Sequence, residues 1–232
     1  MANVQFTRVQ DQRVVSIMSG RDQGAAQVDG SYYVVTSPTP QTGIALTTSI
    51  TADTQTTPVM LVQNNYAVTD PNAKDILPIR LKLILVAQAP TSASVWQGTL
   101  RLDNTPAKYT SGGSVLSTTP GCKNVNPRFG NKSPALVYFG AITGLTSSND
   151  GFLLWNGILN ETIPIVKDTI ILDFGGAGAA TSYENTASVN SKKSCVVPPA
   201  VIPPQWWMAF NMFGLSNAAA SQWEVVFEYM ER

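Results

Sequence analysis

The feature that most constrains the fold is an alternation of apolar and polar residues that recurs in short segments. The clearest case is 222–230, where one face is apolar and the other polar: Trp223, Val225, Phe227 and Tyr229 against Gln222, Glu224 and Glu228. A second case is 95–103, with Gly98, Leu100 and Leu102 against Gln97, Thr99, Arg101 and Asp103. Because successive side chains of a β-strand point to opposite faces, both segments are predicted to be half-buried strands.

Other segments of β type recur between loops, at 43–51, 59–68, 76–88, 135–143, 152–159, 169–174 and 206–213. Residues 135–143 and 152–159 are apolar on both faces, which predicts strands in the centre of a sheet. No window has a helical period, and proline and glycine recur too often for long helices. The pattern predicts an all-β protein, an antiparallel β-sandwich of the single jelly-roll type with about eight or nine strands and long loops.

The chain shows no linker that would divide its 232 residues into two domains. We assign 1–42 to an N-terminal arm, in which Val4, Phe6 and 14–17 are the candidates for a short strand, and 43–232 to the jelly-roll domain. Two long loops, 104–134 and 175–204, are predicted to be functional or to form contacts, because compact domains rarely contain long loops without a role.

Charge is scarce and balanced. Charged residues make up 13% of the chain, and fifteen basic residues offset fifteen acidic ones. A net charge of zero gives no general attraction to nucleic acid and little protection against self-association. The longest apolar run, 79–87, is interrupted by Arg80 and Lys82 and is too short to span a bilayer. We therefore expect no direct nucleic-acid contact and no membrane span.

Histidine is absent from the chain. This excludes Ser-His-Asp and Cys-His catalysis, and with only two cysteines it also excludes an ordinary structural zinc site. Cys122 and Cys195 form no CxxC pair, and their spacing leaves both a disulfide and two thiols open. Asp70 and Asp75 are too isolated for a calcium loop. We predict no metal, no cofactor and no enzymatic activity.

Three weaker motifs would point to other functions. Gly176-Ala177-Gly178 follows a strand, but Thr181 occupies the position where a dinucleotide-binding turn needs a third glycine. Nothing in the sequence pairs two of the outward-facing carboxylates that glycoside hydrolysis would need: Asp103, Glu161, Asp173, Glu224 and Glu228. Trp206 and Trp207 are adjacent, so in a strand they point to opposite faces, one toward the core and one outward.

One stretch carries a specific resemblance. Residues 100–104 read Leu-Arg-Leu-Asp-Asn, and residues 108–114 read Lys-Tyr-Thr-Ser-Gly-Gly-Ser. This resembles small bacteriophage virion proteins, in which a strand ending in Leu-x-Leu-Asp leads into an Arg/Lys-Tyr-x-Ser-Gly-Gly-Thr turn. A similar order continues through Ile-Pro-Ile-Val-Lys-Asp at 163–168, the proline-rich 198–204 and the final strand, so that the resemblance covers 76–232. Ser114 stands where that pattern has threonine.

The resemblance implies a virion structural protein of the single jelly-roll type, either a capsid coat or a capsid decoration protein. It would act in the virion after synthesis in the host cytoplasm. Its partners would be copies of itself, in a trimer or larger ring, and other capsid proteins. We predict these subunit-interface residues: Tyr109, Leu116, Pro203, Pro204, Trp206 and Trp207. The alternative function is a receptor-binding or carbohydrate-binding β-sandwich module of a phage particle, which would require an exposed tryptophan platform.

Overall fold

In the computed structural model, the chain folds as a β-sandwich of two packed sheets. The structure describes residues 26–47, 49–50, 53, 57–87, 96–105, 109–130, 133–145, 151–160, 165–175, 192–216 and 220–232. Its strands are β1 (Tyr32–Thr36), β2 (Ile44–Ala45), β3 (Ser49–Ile50), β4 (Met60–Gln63), β5 (Ile76–Ala87), β6 (Trp96–Asp103), β7 (Tyr109–Val115), β8 (Lys123–Asn124), β9 (Leu136–Leu145), β10 (Phe152–Asn160), β11 (Thr169–Phe174), β12 (Lys192–Val197), β13 (Trp207–Phe213), β14 (Leu215–Ser216) and β15 (Gln222–Glu231).

Sheet 1 has the strand order β12-β11-β5-β15-β1-β8, with the short β2 also paired to β15. Its centre is the long antiparallel pair of β5 and β15, whose register runs from Gln222 opposite Ala87 to Glu231 opposite Ile76. All its described pairings are antiparallel except that of β11 with β12, which is parallel.

Sheet 2 has the strand order β10-β6-β13-β4-β9-β7, and every described pairing in it is antiparallel. The short β14 continues the chain just beyond β13 and pairs with β3. At each side of the sandwich, an edge strand of sheet 1 lies next to an edge strand of sheet 2. At one side the thiol of Cys195 in β12 lies 3.6 Å from the carbonyl oxygen of Ile158 in β10. At the other side, residues 116–122 connect β7 directly to β8.

The core lies between the sheets. The residues buried in it confirm the alternation predicted for β15. Trp223 of β15 is completely buried, and its ring centroid lies 5.4 Å from that of Trp96 in β6. Every second residue of β15, as far as Tyr229, belongs to the same buried cluster, together with Leu100 of β6 and Phe210 of β13. Each large apolar side chain removed from water in this way contributes about 1.5–3 kcal/mol to the free energy of unfolding.

The prediction that β6 is half buried was wrong. Its outward residues Thr99 and Asp103 are as buried as its core residues. Arg101, between them, makes a 2.6 Å ion pair with Asp53, which lies between β3 and β4. That contact places Asp53 over the outer face of sheet 2, so the polar character of this face of β6 does not signal exposure.

The prediction that 152–159 forms a central strand was also wrong, because β10 is the edge strand of described sheet 2. Residues 135–143 do lie within the sheet, since β9 pairs with β4 on one side and with β7 on the other. A strand with an apolar, uncharged sequence therefore lies where edge strands of soluble proteins usually carry charges or prolines.

Several segments predicted to be loops or an arm contain strands. The glycine-rich turn expected at 108–114 is part of the edge strand β7, and β8 follows it within the predicted loop 104–134. β12 lies inside the predicted loop 175–204. β1 lies within 1–42 and pairs with β15 along its whole length. The candidates Val4, Phe6, 14–17, Glu161 and Gly176-Ala177-Gly178 lie outside the described residues.

Candidate assembly surfaces

The outer face of sheet 2 carries an aromatic cluster. The ring of Tyr109 in β7 stacks on Tyr138 of β9, with centroids 3.8 Å apart and planes at 19°. Tyr138 in turn faces Trp207 of β13 at 6.5 Å. Leu61 and Ile142 complete the cluster, which the chain itself covers, because Trp207 is only 2% exposed. Trp207 thus points outward from the sheet, while Trp206 packs against the core between the sheets.

The six predicted interface residues do not form one patch. The structure brings Tyr109 and Trp207 into the same cluster through Tyr138. Leu116 is completely buried in the main core, so neither its side chain nor that of Trp207 offers surface to another molecule. Half-buried positions are occupied by the other four: Tyr109, Pro203, Pro204 and Trp206.

Pro203 begins a tight turn that leads into β13. The backbone amide of Trp206 donates to the carbonyl of Pro203 at 3.0 Å, and Gln205 between them has a positive φ of 67°. The Gln205 amide donates to the Asn64 carbonyl, which follows β4. The turn is therefore fixed to sheet 2 by backbone hydrogen bonds rather than being a free loop.

The main cluster of titratable side chains lies at the end of β15 and is shielded from solvent. Glu231 is 2% exposed and accepts a 2.6 Å hydrogen bond from the Ser133 hydroxyl. The Ser133 and Tyr229 hydroxyls are 2.6 Å apart. Because the single Ser133 proton goes to Glu231, the Tyr229 hydroxyl donates to Ser133. The Tyr66 hydroxyl makes a longer contact of 3.4 Å with the other carboxylate oxygen.

Burial governs the proton equilibria of this cluster. Desolvation raises the pKa of the Glu231 carboxyl above its ordinary value of 4.5, against the lowering effects of Ser133, Lys74 and Tyr66. Burial likewise raises the pKa of the Cys122 thiol, which makes Cys122 a poor nucleophile at neutral pH. The cluster therefore has the chemistry of a structural network that joins β15 to the segments before β8 and β9.

The predicted carboxylates lie apart from this cluster. Asp173, Arg80 and Glu228 face one another across β11, β5 and β15 on the outer face of sheet 1. Arg80 Nε lies 2.9 Å from Asp173, and Arg80 Nη1 lies 4.0 Å from Glu228. An arginine thus separates the two carboxylates. Within the described part of the chain, no group of three or more acidic or cysteine side chains is arranged to hold a metal ion.

The β10–β12 side of the sandwich, meaning the side bounded by those two edge strands, exposes large apolar side chains. In β10 the exposed fractions are 65% for Phe152, 44% for Leu153 and 45% for Ile158. The nine residues of β10 include no charged side chain. Sequence reasoning missed this surface because a strand that is apolar on both faces predicts a central position; the signal was the lack of any charge.

The β7–β8 side, bounded by the opposite edge strands, is more irregular than β10, whose own pairing with β6 has two register shifts. The pairing of β7 with β9 is interrupted by three register shifts, and Gly112 and Gly113 both have positive φ. β8 is only two residues long. Bulges and short strands are the usual means by which proteins prevent an edge from pairing with another chain.

A groove of about 430 Å³ also lies on the β7–β8 side, between the helical turn at 26–29 and the loop after β8. Val28, Val125 and Phe129 line it and are exposed, and Arg128 adds a charge. The Phe129 ring lies against Gly30, where an added Cβ would come within 2.3 Å of it. The groove is formed by loops, in contrast to the strand edge on the opposite side.

Comparison of the chain with protein-family models, with curated proteins and with solved structures finds no match. Within the ranges that the structure describes, no helix is both long enough and apolar enough to cross a membrane.

Proposed function

We propose that this chain is a non-enzymatic structural protein of a bacteriophage particle, which forms or decorates the capsid through symmetric self-assembly. The observation that carries the proposal is the long, uncharged β10 edge with exposed Phe152, Leu153 and Ile158. Several large apolar side chains exposed on one uncharged strand are typical of contact sites in soluble proteins. The zero net charge offers no electrostatic barrier to association of copies.

We further propose that the sandwich is a single jelly roll. Its support is the way the chain crosses between the layers, because β4, β5 and β6 belong to sheets 2, 1 and 2 in turn. Within this proposal the chain acts in the virion after synthesis in the host cytoplasm, and its neutral charge favours an outer layer over genome contact. The trimer or larger ring expected from the sequence remains part of the proposal.

The alternative of a carbohydrate-binding module gains no specific observation. The expected platform needs exposed tryptophans, whereas Trp96, Trp207 and Trp223 are among the largest fully buried side chains, and Trp155 and Trp206 are half-buried against the core. Tyr109 is stacked against Tyr138, and its hydroxyl donates to the Gly112 carbonyl at 2.9 Å.

The test combines solution assembly with location. We expect the purified full-length chain to form closed oligomers by size-exclusion chromatography with light scattering. An antibody against it should label intact phage particles at their outer surface in electron micrographs. A chain that stays monomeric at its highest soluble concentration and is missing from purified particles would refute the proposal.

A further inference from the structure

Asn211 is an unexpected residue in the sequence of β13. The strand reads Trp-Met-Ala-Phe-Asn-Met-Phe and lies between β6 and β4 in sheet 2, and asparagine is depleted in such strands. Only 3% of Asn211 is exposed, and neither its amide oxygen nor its amide nitrogen has a hydrogen-bond partner within the described part of the chain. Burial of an amide without hydrogen bonds is strongly destabilising, so a polar partner is expected at this position.

The neighbouring strand adds a second unpaired group. Thr99 of β6 lies directly opposite Asn211 and is also 3% exposed, and its hydroxyl has no partner among the residues that the structure describes. Both side chains point to the outer face of sheet 2, because the adjacent residues Phe210 and Leu100 belong to the core between the sheets. The two strands therefore place a buried amide and a buried hydroxyl side by side on that face.

Unpaired polar atoms are concentrated on this face. Among the described residues, eight buried side-chain nitrogen and oxygen atoms have no partner, and six of them lie on or over the outer face of sheet 2. Besides the three atoms of Asn211 and Thr99, they are Arg101 Nε, Trp207 Nε1 and Asp53 Oδ1. Asp53 reaches this face through its 2.6 Å ion pair with Arg101. Six such atoms on two adjacent strands and on one residue above them form a site rather than scattered defects.

The chemistry of these atoms selects the ligand. Hydrogen-bond donors, on Arg101, Trp207 and Asn211, are mixed with acceptors on Asp53 and Asn211, and the Thr99 hydroxyl can act as either. Arg101 and Asp53 neutralise each other, so the site favours neither an anion nor a cation. The six atoms are also inaccessible to solvent, which limits the ligand to a molecule small enough to be enclosed. Water is neutral, donates and accepts, and meets this limit.

The site lies in a polar row that reaches the edge of the sheet. Asn156 of β10 lies opposite Thr99 on the other side of β6, so that Asn156, Thr99 and Asn211 follow one another across three strands. Asn156 is exposed, whereas the other two are buried. Polar side chains therefore mark a short route from solvent at β10 to the buried amide in β13.

We propose that the outer face of sheet 2 encloses ordered water that hydrogen-bonds to both the Asn211 amide and the Thr99 hydroxyl and exchanges with solvent past Asn156. A buried water makes about three hydrogen bonds, so one molecule can serve these two groups and a third on the same face. The water then joins β13 to β6 outside the core. The site is independent of the proposed function, because it belongs to the single chain.

The first experiment counts bound water in solution by oxygen-17 magnetic relaxation dispersion, which detects water molecules that stay bound for longer than the protein takes to tumble. Wild type is compared with Asn211→Leu and Thr99→Val, which remove the polar groups at similar volume. The control is Thr110→Val, a matched change at an exposed position of β7. We expect each buried variant to bind at least one fewer long-lived water than wild type, and the control to match it. Equal counts in all four proteins would overturn the proposal.

The second experiment uses the sign of a stability change. If water satisfies the Thr99 hydroxyl, Thr99→Val leaves the water and Asn211 with fewer partners, and the folding equilibrium constant should fall by about threefold or more. If the hydroxyl is buried without any partner, the apolar variant is more stable and the constant rises instead. Urea denaturation of Thr99→Val beside Thr110→Val gives the comparison, which remains available if Asn211→Leu does not fold. A rise for Thr99→Val contradicts bound water.

A direct hydrogen bond between Asn211 and Thr99 is the alternative that stability alone does not separate, because it too would make Thr99→Val destabilising. A high-resolution crystal structure of the wild-type chain distinguishes the two arrangements. We expect a water oxygen at about 3 Å from a side-chain polar atom of each residue. A direct bond between the Asn211 amide and the Thr99 hydroxyl, with no water touching both, would overturn the proposal. Neither outcome bears on the virion role, which the assembly and labelling experiments test separately.

Discussion

The two sides of the sandwich end in sheet edges of different composition and regularity. On the β7–β8 side the strands are bulged or short, and the polar network of Ser133, Tyr229 and Glu231 closes the adjoining end of the core. On the β10–β12 side, the nine-residue β10 has two register shifts of its own and exposes Phe152, Leu153 and Ile158, while the Cys195 thiol of β12 contacts the Ile158 carbonyl oxygen. The first side exposes apolar side chains in a groove between loops, at Val28, Val125 and Phe129, whereas the second exposes them along a strand.

This difference implies that folding stability and assembly depend on opposite sides. Substitutions on the β7–β8 side should destabilise the single chain, because its groups are buried and hydrogen-bonded to one another. Exposed positions on the β10–β12 side should tolerate substitution in the single chain and affect association instead. The following predictions test that division, in decreasing order of effect.

The largest effect is expected for Tyr229→Ala. The Tyr229 ring stacks between Tyr33 at 5.5 Å and Phe227 at 5.4 Å, and its hydroxyl bonds to Ser133. Its loss removes an aromatic core side chain and leaves a cavity, so the free energy of unfolding should fall by about 3–5 kcal/mol. Chemical denaturation measures this.

The matched change on the other side is Leu153→Ala, because Leu153 is a large apolar residue that remains substantially exposed. It should cost at most about 0.5 kcal/mol when measured on the dissociated chain, which is the usual range for surface substitutions. Similar losses for Tyr229→Ala and Leu153→Ala would show that β10 is folded into the core of the single chain after all.

The next effect concerns the bulged β7 edge. Gly112 has a φ of 88°, and a Cβ added there would lie 2.5 Å from the Ala141 carbonyl oxygen of β9. Gly112→Ala should therefore lower the free energy of unfolding by about 2–4 kcal/mol, from backbone strain together with a clash against backbone. Chemical denaturation again gives the value.

Gly121 offers the control for this prediction. It has the same φ of 88°, yet an added Cβ would meet nothing within 4 Å. Gly121→Ala should cost about 1–2 kcal/mol from the left-handed backbone alone. Equal losses at the two glycines would mean that the close approach of β7 to β9 has no part in shaping this edge.

The sequence predicted the central architecture well and the edges poorly. The alternation in β15 identified its buried face, because those side chains pack against one another across a single layer. The place of β10 could not be deduced in this way, since local apolarity does not say whether a strand has neighbours on one side or on both. Thr99 shows the converse, because it is polar and yet buried on a face of β6 where Arg101 pairs with the distant Asp53.

The candidate site was predicted less completely than the fold. The opposite facing of Trp206 and Trp207 followed from their adjacency and was confirmed. The sequence does not identify Glu231 as a buried carboxylate, because the predicted strand ends at Met230 and the partner Ser133 lies almost a hundred residues away. Such networks depend on how loops before β8 and β9 reach the end of β15, which no local pattern in the sequence contains.

The smallest effect is a pH dependence of stability on the β7–β8 side, isolated by Glu231→Gln. Burial raises the folded pKa of Glu231 above 4.5, so between 4.5 and that raised value the folded chain holds more protons than the unfolded chain. The contribution of Glu231 to stability is thus fully present below pH 4.5 and is lost as pH rises through the folded pKa. The difference in unfolding free energy, wild type minus Glu231→Gln, should fall over that window and then become flat.

The groups facing Glu231 act on its pKa in opposite directions. The Ser133 and Tyr66 hydroxyls and the Lys74 ammonium group all favour the ionised carboxylate, whereas burial among Tyr229, Cys122 and Tyr33 disfavours it. Lys74→Gln, at an exposed position, removes the one charged group among these three. It should therefore raise the folded pKa of Glu231 and extend the window to higher pH, with little other cost. Urea denaturation from pH 4 to pH 8 gives both differences. A wild-type chain that gains stability relative to Glu231→Gln with rising pH would contradict the assignment, because the Ser133 and Lys74 contacts would then outweigh burial at this closed side of the sandwich.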